Sequence, residues 1–118
     1  MAAEKRTGRC HCGAVRYEAE VDLAKPALEC NCTHCQIKGL LLSFVPRSAV
    51  TVQKGEDHLQ EYRFNTEKIA HMFCKTCGVE PFGRGEQNGQ PMCGLNVRTI
   101  DDIDLPSITR IPYDGRSR

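Results

Sequence analysis

The stretch Cys30-Asn31-Cys32-Thr33-His34-Cys35 places three thiols within six residues. In a chain of 118 residues, cysteine at this density indicates a metal-binding loop or a disulfide knot. Thiolates are the soft ligands that zinc and iron–sulfur centres prefer. Extended backbone puts Cys30 and Cys32 on one face, and a turn across the next two residues brings Cys35 to the same ion. Since four sulfurs close a structural zinc site, these three predict an ion with an exchangeable position.

The other five cysteines form two pairs and a single residue: Cys10 and Cys12, Cys74 and Cys77, and Cys93. The two pairs together offer the four sulfurs of a structural zinc site, which would join the first and third quarters of the chain. A metal that closes so long a loop constrains the unfolded chain, so its binding energy contributes to folding. The spacing leaves other divisions open, such as Cys10, Cys12, Cys30 and Cys32 against Cys35, Cys74 and Cys77.

The composition gives no sign of a nucleic-acid or membrane partner. Charged residues make up 26% of the chain and the net charge is +1, so no strong field attracts a polyanion. There is no run of about 18 apolar residues that would predict a membrane span, and the polar residues 1–9 lack the apolar core of a secretion signal. We therefore expect a cytoplasmic protein, whose reduced thiols serve as metal ligands rather than as bridges.

Short apolar stretches, alternating or continuous, predict many strands and little helix. We expect strands within residues 14–21, 27–29, 40–45, 50–54, 59–64, 79–82, 91–98 and 105–111, with prolines at 46 and 112 ending two of them. A loop is expected at 83–90, a frayed end at 1–6, and one helical turn at 36–39. The pattern predicts a mainly β fold in a single domain, residues 1–118, with a core at about 7–112.

Several motifs, taken together, make the chain resemble the family of the glutathione-dependent formaldehyde-activating enzyme and centromere protein V. The motifs are Gly8-x-Cys10-His11-Cys12-Gly13-x-Val15-Arg16, Cys30-x-Cys32-x2-Cys35 with Gly39 and Phe44, then Gly55, Leu59, Tyr62 and Phe64, then His71-x-Phe73-Cys74-x2-Cys77-Gly78, and Asn96-Val97-Arg98 before Asp101. The resemblance extends over residues 8–101 and rests chiefly on the seven-cysteine pattern.

This resemblance implies an Mss4-like fold of short antiparallel sheets held together by zinc. It implies a structural zinc held by Cys10, Cys12, Cys74 and Cys77. It also implies a second zinc near the active site, more labile and partly occupied, held by Cys30, Cys32 and Cys35. The family is named for carbon–sulfur lyase chemistry on S-hydroxymethylglutathione, the adduct of glutathione and formaldehyde. The resemblance therefore implies that a glutathione-like thiol, or its aldehyde adduct, is the small-molecule partner.

The chemistry of a three-thiolate zinc suits such a partner. With a formal charge of about −1, this zinc is a weak Lewis acid, but it can hold a fourth, incoming thiolate. A free thiol is mostly protonated at neutral pH, and coordination deprotonates it. We hypothesise that this zinc binds the sulfur of a small thiol and assists in making or breaking its bond to an aldehyde carbon. Cations would offset the added charge, and the candidates are Lys38, Arg47, Arg84 and Arg98.

Four further side chains near the motifs have competing interpretations. His34 is either a fourth ligand or proton shuttle or, as we expect, an exposed loop residue. His11 lies between two ligands on extended backbone and should point away from the metal. His71 either donates a hydrogen bond to a ligand sulfur or simply packs. We expect Cys93 to be a small buried residue, with a fourth ligand or a resolving thiol as the alternative.

Two classes of function remain open at this stage. One is an enzyme that acts on a thiol–aldehyde adduct, and the other is a binding module in which both zincs are structural. An exchangeable water or thiol on the second ion favours the enzyme, whereas Cys93 or His34 fixed on that ion favours the module. An iron–sulfur protein would be coloured, and zinc fingers that bind DNA are disfavoured by the charge and the lack of a recognition helix. Asn96 and Arg98 either anchor a substrate or lie on a solvated strand face.

Overall fold

The computed structural model describes residues 3–63 and 69–114, and the fold is mainly β, as the sequence predicted. The strands within those residues are β1 (Glu4–Arg9), β2 (Arg16–Val21), β3 (Ala27–Cys30), β4 (Leu42–Pro46), β5 (Val50–Lys54), β6 (Leu59–Tyr62), β7 (Ala70–Cys74), β8 (Phe82–Gln87), β9 (Gln90–Asn96) and β10 (Arg110–Tyr113). A three-stranded sheet has the order β1-β2-β5, and a seven-stranded sheet has the order β10-β3-β4-β9-β8-β7-β6. Neighbouring strands are antiparallel, except that β10 runs parallel to β3.

The α-helix α1 (Thr33–Lys38) follows β3. Gly39 ends it in a left-handed conformation with φ of 70°, which suits a glycine at this position. The predicted turn at 36–39 is therefore confirmed, but the helix begins earlier because Cys32 caps it: its sulfur accepts a hydrogen bond from the Cys35 backbone N–H. Short 3-10 helices occur at Arg47–Ala49, Glu56–His58, Val97–Thr99 and Leu105–Ser107.

The frayed end predicted for residues 1–6 is wrong over its described part. Residues from Glu4 onward form β1, which pairs with β2 along its whole length, from Glu4 opposite Val21 to Arg9 opposite Arg16. β1 is the edge of the smaller sheet, and an edge strand keeps charged side chains in water. Its polar sequence therefore indicates an edge position rather than an unstructured end.

The loop predicted for 83–90 is also wrong, because most of it belongs to a β-hairpin. β8 and β9 pair from Phe82 opposite Leu95 to Gln87 opposite Gln90. Between them, Asn88 and Gly89 have φ of 52° and 79°, the left-handed values of a type I′ turn, for which Asn-Gly is the preferred sequence. β8 begins only at Phe82, so the strand predicted for 79–82 is wrong for residues 79–81, which form the connection before β8.

Of the two prolines that were expected to end strands, Pro46 is the last residue of its strand, whereas Pro112 lies inside its strand. β4 starts at Leu42, two residues later than predicted, and ends at Pro46. The strand predicted for 105–111 begins instead as a 3-10 helix, and β10 then runs through Pro112. β10 is an edge strand, where a residue without an N–H is tolerated. The strand predicted for 59–64 ends at Tyr62, and Phe64 lies outside the described residues.

One core takes side chains from both sheets. Tyr17 on β2 and Phe82 on β8 are fully buried and meet edge to face, with ring centroids 6.1 Å apart. Gly8 on β1 leaves the space for the Tyr17 ring, since a Cβ there would lie 2.2 Å from it. Cys10 and Cys74 belong to the same core, so two of the cysteine motifs are built into the contact between the sheets.

Candidate metal centres

Two cysteine knuckles meet where the two sheets come together. Cys10 and Cys12 follow β1, whereas Cys74 and Cys77 lie at the end of β7 and in the turn after it. Their four sulfurs lie within 4.8 Å of one another, and Cys12 Sγ is 3.7 Å from both Cys10 Sγ and Cys74 Sγ. All four thiols are free. A tetrahedron with zinc–sulfur bonds of about 2.3 Å has edges of about 3.8 Å, so this donor set fits zinc.

Backbone N–H groups support these sulfurs as thiolates. Val15 N lies 3.3 Å from Cys10 Sγ, and Thr76 N lies 3.4 Å from Cys74 Sγ. Gly78 closes the second knuckle with φ of 81°, a conformation that strains residues with a Cβ. Each knuckle therefore presents its sulfurs with the donors that stabilise negative charge.

The Cys77 thiol is a member of this group whose pKa is lowered. Burial alone would raise the pKa of the Cys77 thiol, but hydrogen bonds from the backbone at Cys12 and Val79 and from neighbouring thiols lower that pKa to about 6. A thiolate is the form that binds a metal ion. The group as a whole still releases protons on binding an ion, because the pKa of the Cys12 thiol, despite a backbone hydrogen bond at Ala14 that lowers it, is raised to about 11 by burial and by the neighbouring thiols.

The second group contains the three thiols of the central motif. Cys30 ends β3, Cys32 caps α1, and Cys35 lies buried within α1. Their sulfurs also lie within 4.8 Å of one another. Cys35 N donates to Cys32 Sγ at 3.3 Å, and Cys32 N to Cys30 Sγ at 3.5 Å. Burial, followed by the Cys32 and Cys30 thiols, raises the pKa of Cys35, so ion binding here must displace a proton.

No cysteine, histidine, aspartate or glutamate in the described residues joins these three sulfurs as a fourth ligand within the same distances. Cys93 is buried in β9, as expected; burial raises the pKa of its thiol, and the nearby Arg84 and Arg47 cations oppose that rise. His11 is exposed and belongs to neither group. The cysteines thus divide four and three, which is the division that the sequence analysis favoured.

Comparison with known proteins places this pattern in a family. The family model described as "Glutathione-dependent formaldehyde-activating enzyme" matches residues 5–111. The chain belongs to that family. A crystal structure of a Rhodobacter sphaeroides protein is 30% identical to this chain, with a TM-score of 0.81, over 91% of this chain and 98% of the other. The glutathione-dependent formaldehyde-activating enzyme family therefore accounts for nearly the whole chain and its architecture.

This family member also contains a buried polar cluster that the sequence analysis missed. The Glu80 carboxylate, 1% exposed, contacts His34 Nε2 at 2.9 Å through one oxygen and His71 Nδ1 at 3.1 Å through the other. Lys38 Nζ lies 3.5 Å from the first oxygen. The two imidazole centroids are 4.1 Å apart. A single acidic residue in the otherwise apolar stretch from Val79 to Phe82 was the signal, since buried carboxylates need partners.

The contacts with Glu80 change the expectations for His34 and His71. His34 is not an exposed loop residue: it lies in α1, its side chain is 10% exposed, and its ring stacks on Tyr62. His71 Nδ1 lies 3.1 Å from a carboxylate oxygen of Glu80, so this ring nitrogen is engaged by a carboxylate. Both residues therefore act through the buried carboxylate of Glu80.

The electrostatics of the cluster favour an anionic Glu80. Burial would raise the pKa of its carboxyl group, but the hydrogen bonds from His71 and His34 outweigh burial and lower it. Burial is also the main reason that the pKa of His34 is lowered, against the opposing effect of Glu80. Because a neutral imidazole can still donate one N–H, the cluster keeps its hydrogen bonds when the histidines are uncharged.

A hollow of about 480 Å³ opens next to this cluster. It is lined by Thr33, His34, Ile37, Lys38, Tyr62, Phe73 and Gly78. Ile37 is 86% exposed at its rim, and Lys38 Nζ lies 5.1 Å from the centre of the Phe73 ring. The hollow is thus mostly apolar, with one cation that is already paired.

The cations expected near the three-thiol group are dispersed. Lys38 is on α1, but it is engaged by Glu80. Arg47 and Arg84 line a different cleft of about 700 Å³, whose lining residues include none of the three cysteines. Arg98 is exposed, and its backbone N–H is capped by the Asn96 side chain, which also donates to the Glu80 carbonyl. The Asn96 side chain thus has a structural role, and of these cations Lys38 alone is on an element that carries the thiols.

Proposed function

We propose that this family member is a zinc-dependent carbon–sulfur lyase that acts on a thiol–aldehyde adduct such as S-hydroxymethylglutathione. Membership of the family supports the reaction class, and the two groups of cysteine support the need for metal. No helix in residues 3–63 and 69–114 is long and apolar enough to cross a membrane. The partner under this proposal is a small thiol or its adduct.

The observation that carries the proposal is the difference between the two sulfur groups. Four thiols complete a tetrahedral set at Cys10, Cys12, Cys74 and Cys77, whereas the other group offers three. A closed set is typical of structural zinc, and a three-ligand set is typical of an ion that exchanges its fourth ligand. The reaction therefore belongs to the second group.

The reaction breaks the bond between sulfur and the aldehyde carbon. The bonding electron pair stays on sulfur, the hydroxyl proton leaves, and the carbon–oxygen double bond of formaldehyde forms; the reverse reaction makes the adduct. Zinc bound to Cys30, Cys32 and Cys35 would supply a site at which the departing sulfur is stable as a thiolate. The chain itself positions those three thiols, through the β3 end and the first turn of α1.

The test uses protein in which cobalt replaces zinc. Adding glutathione or S-hydroxymethylglutathione should strengthen the thiolate-to-cobalt absorption, because a fourth sulfur enters the coordination shell. Cys32→Ala should abolish this response and the release of formaldehyde from the adduct. Cys93→Ala is the matched control, since this buried thiol lies outside both groups.

The opposite result would identify a binding module. If wild-type protein binds cobalt at both groups and its spectrum does not change with any thiol, the second ion is structural. Formaldehyde release that survives Cys32→Ala would also contradict the proposal, because the chemistry would then lie elsewhere.

A further inference from the structure

The helix that carries two thiols of the second group is short and mostly exposed. α1 has six residues, and Cys35 is the buried one. A helix of this length is unstable in isolation, because nucleation costs more than a few hydrogen bonds return. Contacts from outside the helix must therefore fix the positions of Cys32 and Cys35.

The Glu80 carboxylate supplies such a contact. Its Oε1 atom lies 2.9 Å from His34 Nε2 and 3.5 Å from Lys38 Nζ. These two residues are four apart in α1, so they share one face of the helix. Lys38 Nζ also donates to the Gly78 carbonyl at 3.5 Å. One buried anion thus engages both turns of the helix.

Glu80 is itself fixed to the four-thiol knuckle. It follows Cys77 by three residues, and the residue before it accepts a hydrogen bond from Cys74 N at 2.9 Å. Asn96 Nδ2 donates to the Glu80 carbonyl at 3.0 Å, and His71 Nδ1 contacts Oε2 at 3.1 Å. The carboxylate therefore projects from the connection between β7 and β8, which hydrogen bonds hold to the four-thiol knuckle and to Asn96 of β9.

We infer that Glu80 is a positioning residue that fixes α1 to the four-thiol knuckle and so orders the three-thiol group. This inference rests on the proposed metal-binding role of Cys30, Cys32 and Cys35. Without the carboxylate, His34 and Lys38 lose a shared partner and α1 loosens. Metal affinity at the three-thiol group then falls, because the thiols must be ordered when the ion binds.

A third metal ion on the same cluster is the competing interpretation. The ligand atoms of His34, His71 and Glu80 also lie within 4.8 Å of one another, and two histidines with one carboxylate are a known zinc set. However, the ammonium of Lys38 lies 3.5 Å from one carboxylate oxygen, where it would repel a dication. Both oxygens also have imidazole partners already. The positioning role is therefore favoured.

The experiment compares Glu80→Ala and Glu80→Gln with wild type by chelator titration of the zinc-loaded protein. The weaker zinc should leave Glu80→Ala at about tenfold lower chelator concentration, the lower end of what loss of a supporting contact costs a metal site. The tighter zinc should be unaffected. Glu80→Gln should have a smaller effect, because the amide oxygen still accepts one hydrogen bond. Glu86→Ala, at an exposed position of β8, is the control and should match wild type.

Hydrogen exchange provides a second measurement that does not depend on metal. The N–H groups of Gly39 and Leu40 bond to the Cys35 carbonyl, and they should exchange faster in Glu80→Ala. Unchanged exchange, an equal shift of both zinc steps, or a third metal equivalent lost in Glu80→Ala would each overturn the inference. If wild type binds no second ion, the proposed function fails, whereas the exchange rates still decide whether Glu80 holds α1.

Discussion

The buried hydroxyl of Tyr17 illustrates how single polar groups are accommodated in this fold. Tyr17 is fully buried, and its hydroxyl lies 2.7 Å from Thr99 Oγ1. Thr99 Oγ1 in turn donates to the Asn96 carbonyl at 2.7 Å, so the tyrosine is the donor in this chain of bonds. Burial raises the pKa of Tyr17, because a phenolate would be poorly solvated there.

Tyr17→Phe tests this assignment through its dependence on pH. At pH 7 the variant should be less stable than wild type by about 1 kcal/mol, the usual worth of one hydrogen bond. The folded-state pKa lies above the unfolded value of about 10, so wild type loses stability as pH rises past about 10 and Tyr17→Phe does not. The difference in urea unfolding free energy should therefore shrink between pH 9 and 11. A difference that stays constant would contradict a raised pKa.

At the scale of elements, β10 pairs with β3, the strand that ends in the central cysteine motif. β10 pairs in parallel with β3, from Arg110 opposite Ala27 to Tyr113 opposite Cys30. Asn31 N donates to the Tyr113 carbonyl at 3.0 Å, immediately after the first thiol. β10 therefore fixes the start of the three-thiol loop, as Glu80 does for its helical end.

Truncation can separate the role of β10 from that of the last few residues. A chain that ends at Ile108 loses β10, so β3 becomes an edge strand with unpaired backbone groups. We expect lower stability, by about 2 kcal/mol or more for the lost hydrogen bonds, and easier loss of the second metal. A chain that ends at Asp114 keeps these bonds and should match wild type in chelator titration and urea unfolding. Equal metal retention in both chains would show that β10 does not support the loop.

For the whole molecule, the four-thiol group joins elements of the two sheets. One knuckle follows β1 of the smaller sheet, and the other follows β7 of the larger sheet. Sulfur atoms from both lie in contact, with Cys12 Sγ 3.7 Å from Cys74 Sγ. Two of the thiols that close this contact, Cys10 and Cys74, are buried in the core, so the loss of a shared ion there would remove the metal–sulfur bonds between the two sheets at this point.

Removal of the metal should therefore unfold much of the protein. Structural zinc contributes an apparent 10–16 kcal/mol in small zinc-binding peptides, about as much as the whole stability of a typical domain, roughly 5–15 kcal/mol. Excess chelator at pH 7 should abolish the native β signal in circular dichroism, and added zinc should restore it. Cys77→Ser should behave like chelated wild type, whereas Cys93→Ala should stay folded. A chelated chain with native circular dichroism would show that metal is not needed for the fold.

Much of the fold was predictable because its signals are local. The strand at Val50–Lys54 matches its prediction residue for residue, since a short alternating stretch between turns has few alternatives. The wrong predictions came from local composition alone, because composition does not show whether a strand lies at the edge or in the middle of a sheet. The polar β1 and the proline in β10 are typical of edge strands, and the Asn88-Gly89 turn signal was overlooked within a glycine-rich stretch.

In the candidate site, too, the contacts between residues close in sequence were predictable, whereas the long-range contacts were not. The grouping of thiols within Cys30–Cys35 and within Cys74–Cys77 follows from spacing, because two intervening residues are enough for a turn. Which knuckle meets which is a long-range contact, and spacing alone left it open. The cluster of Glu80 with His34 and His71 is of the same kind, since 46 residues separate His34 from Glu80.

By itself, then, the sequence determined a mainly β member of its family with closely spaced thiols that could bind metal, because those properties depend on residue type and short spacing. The tertiary structure decided between the cysteine divisions that spacing had left open, and it alone showed that a buried carboxylate lies behind the helix of the second group. These depend on how the two sheets pack, which brings together residues far apart in the chain.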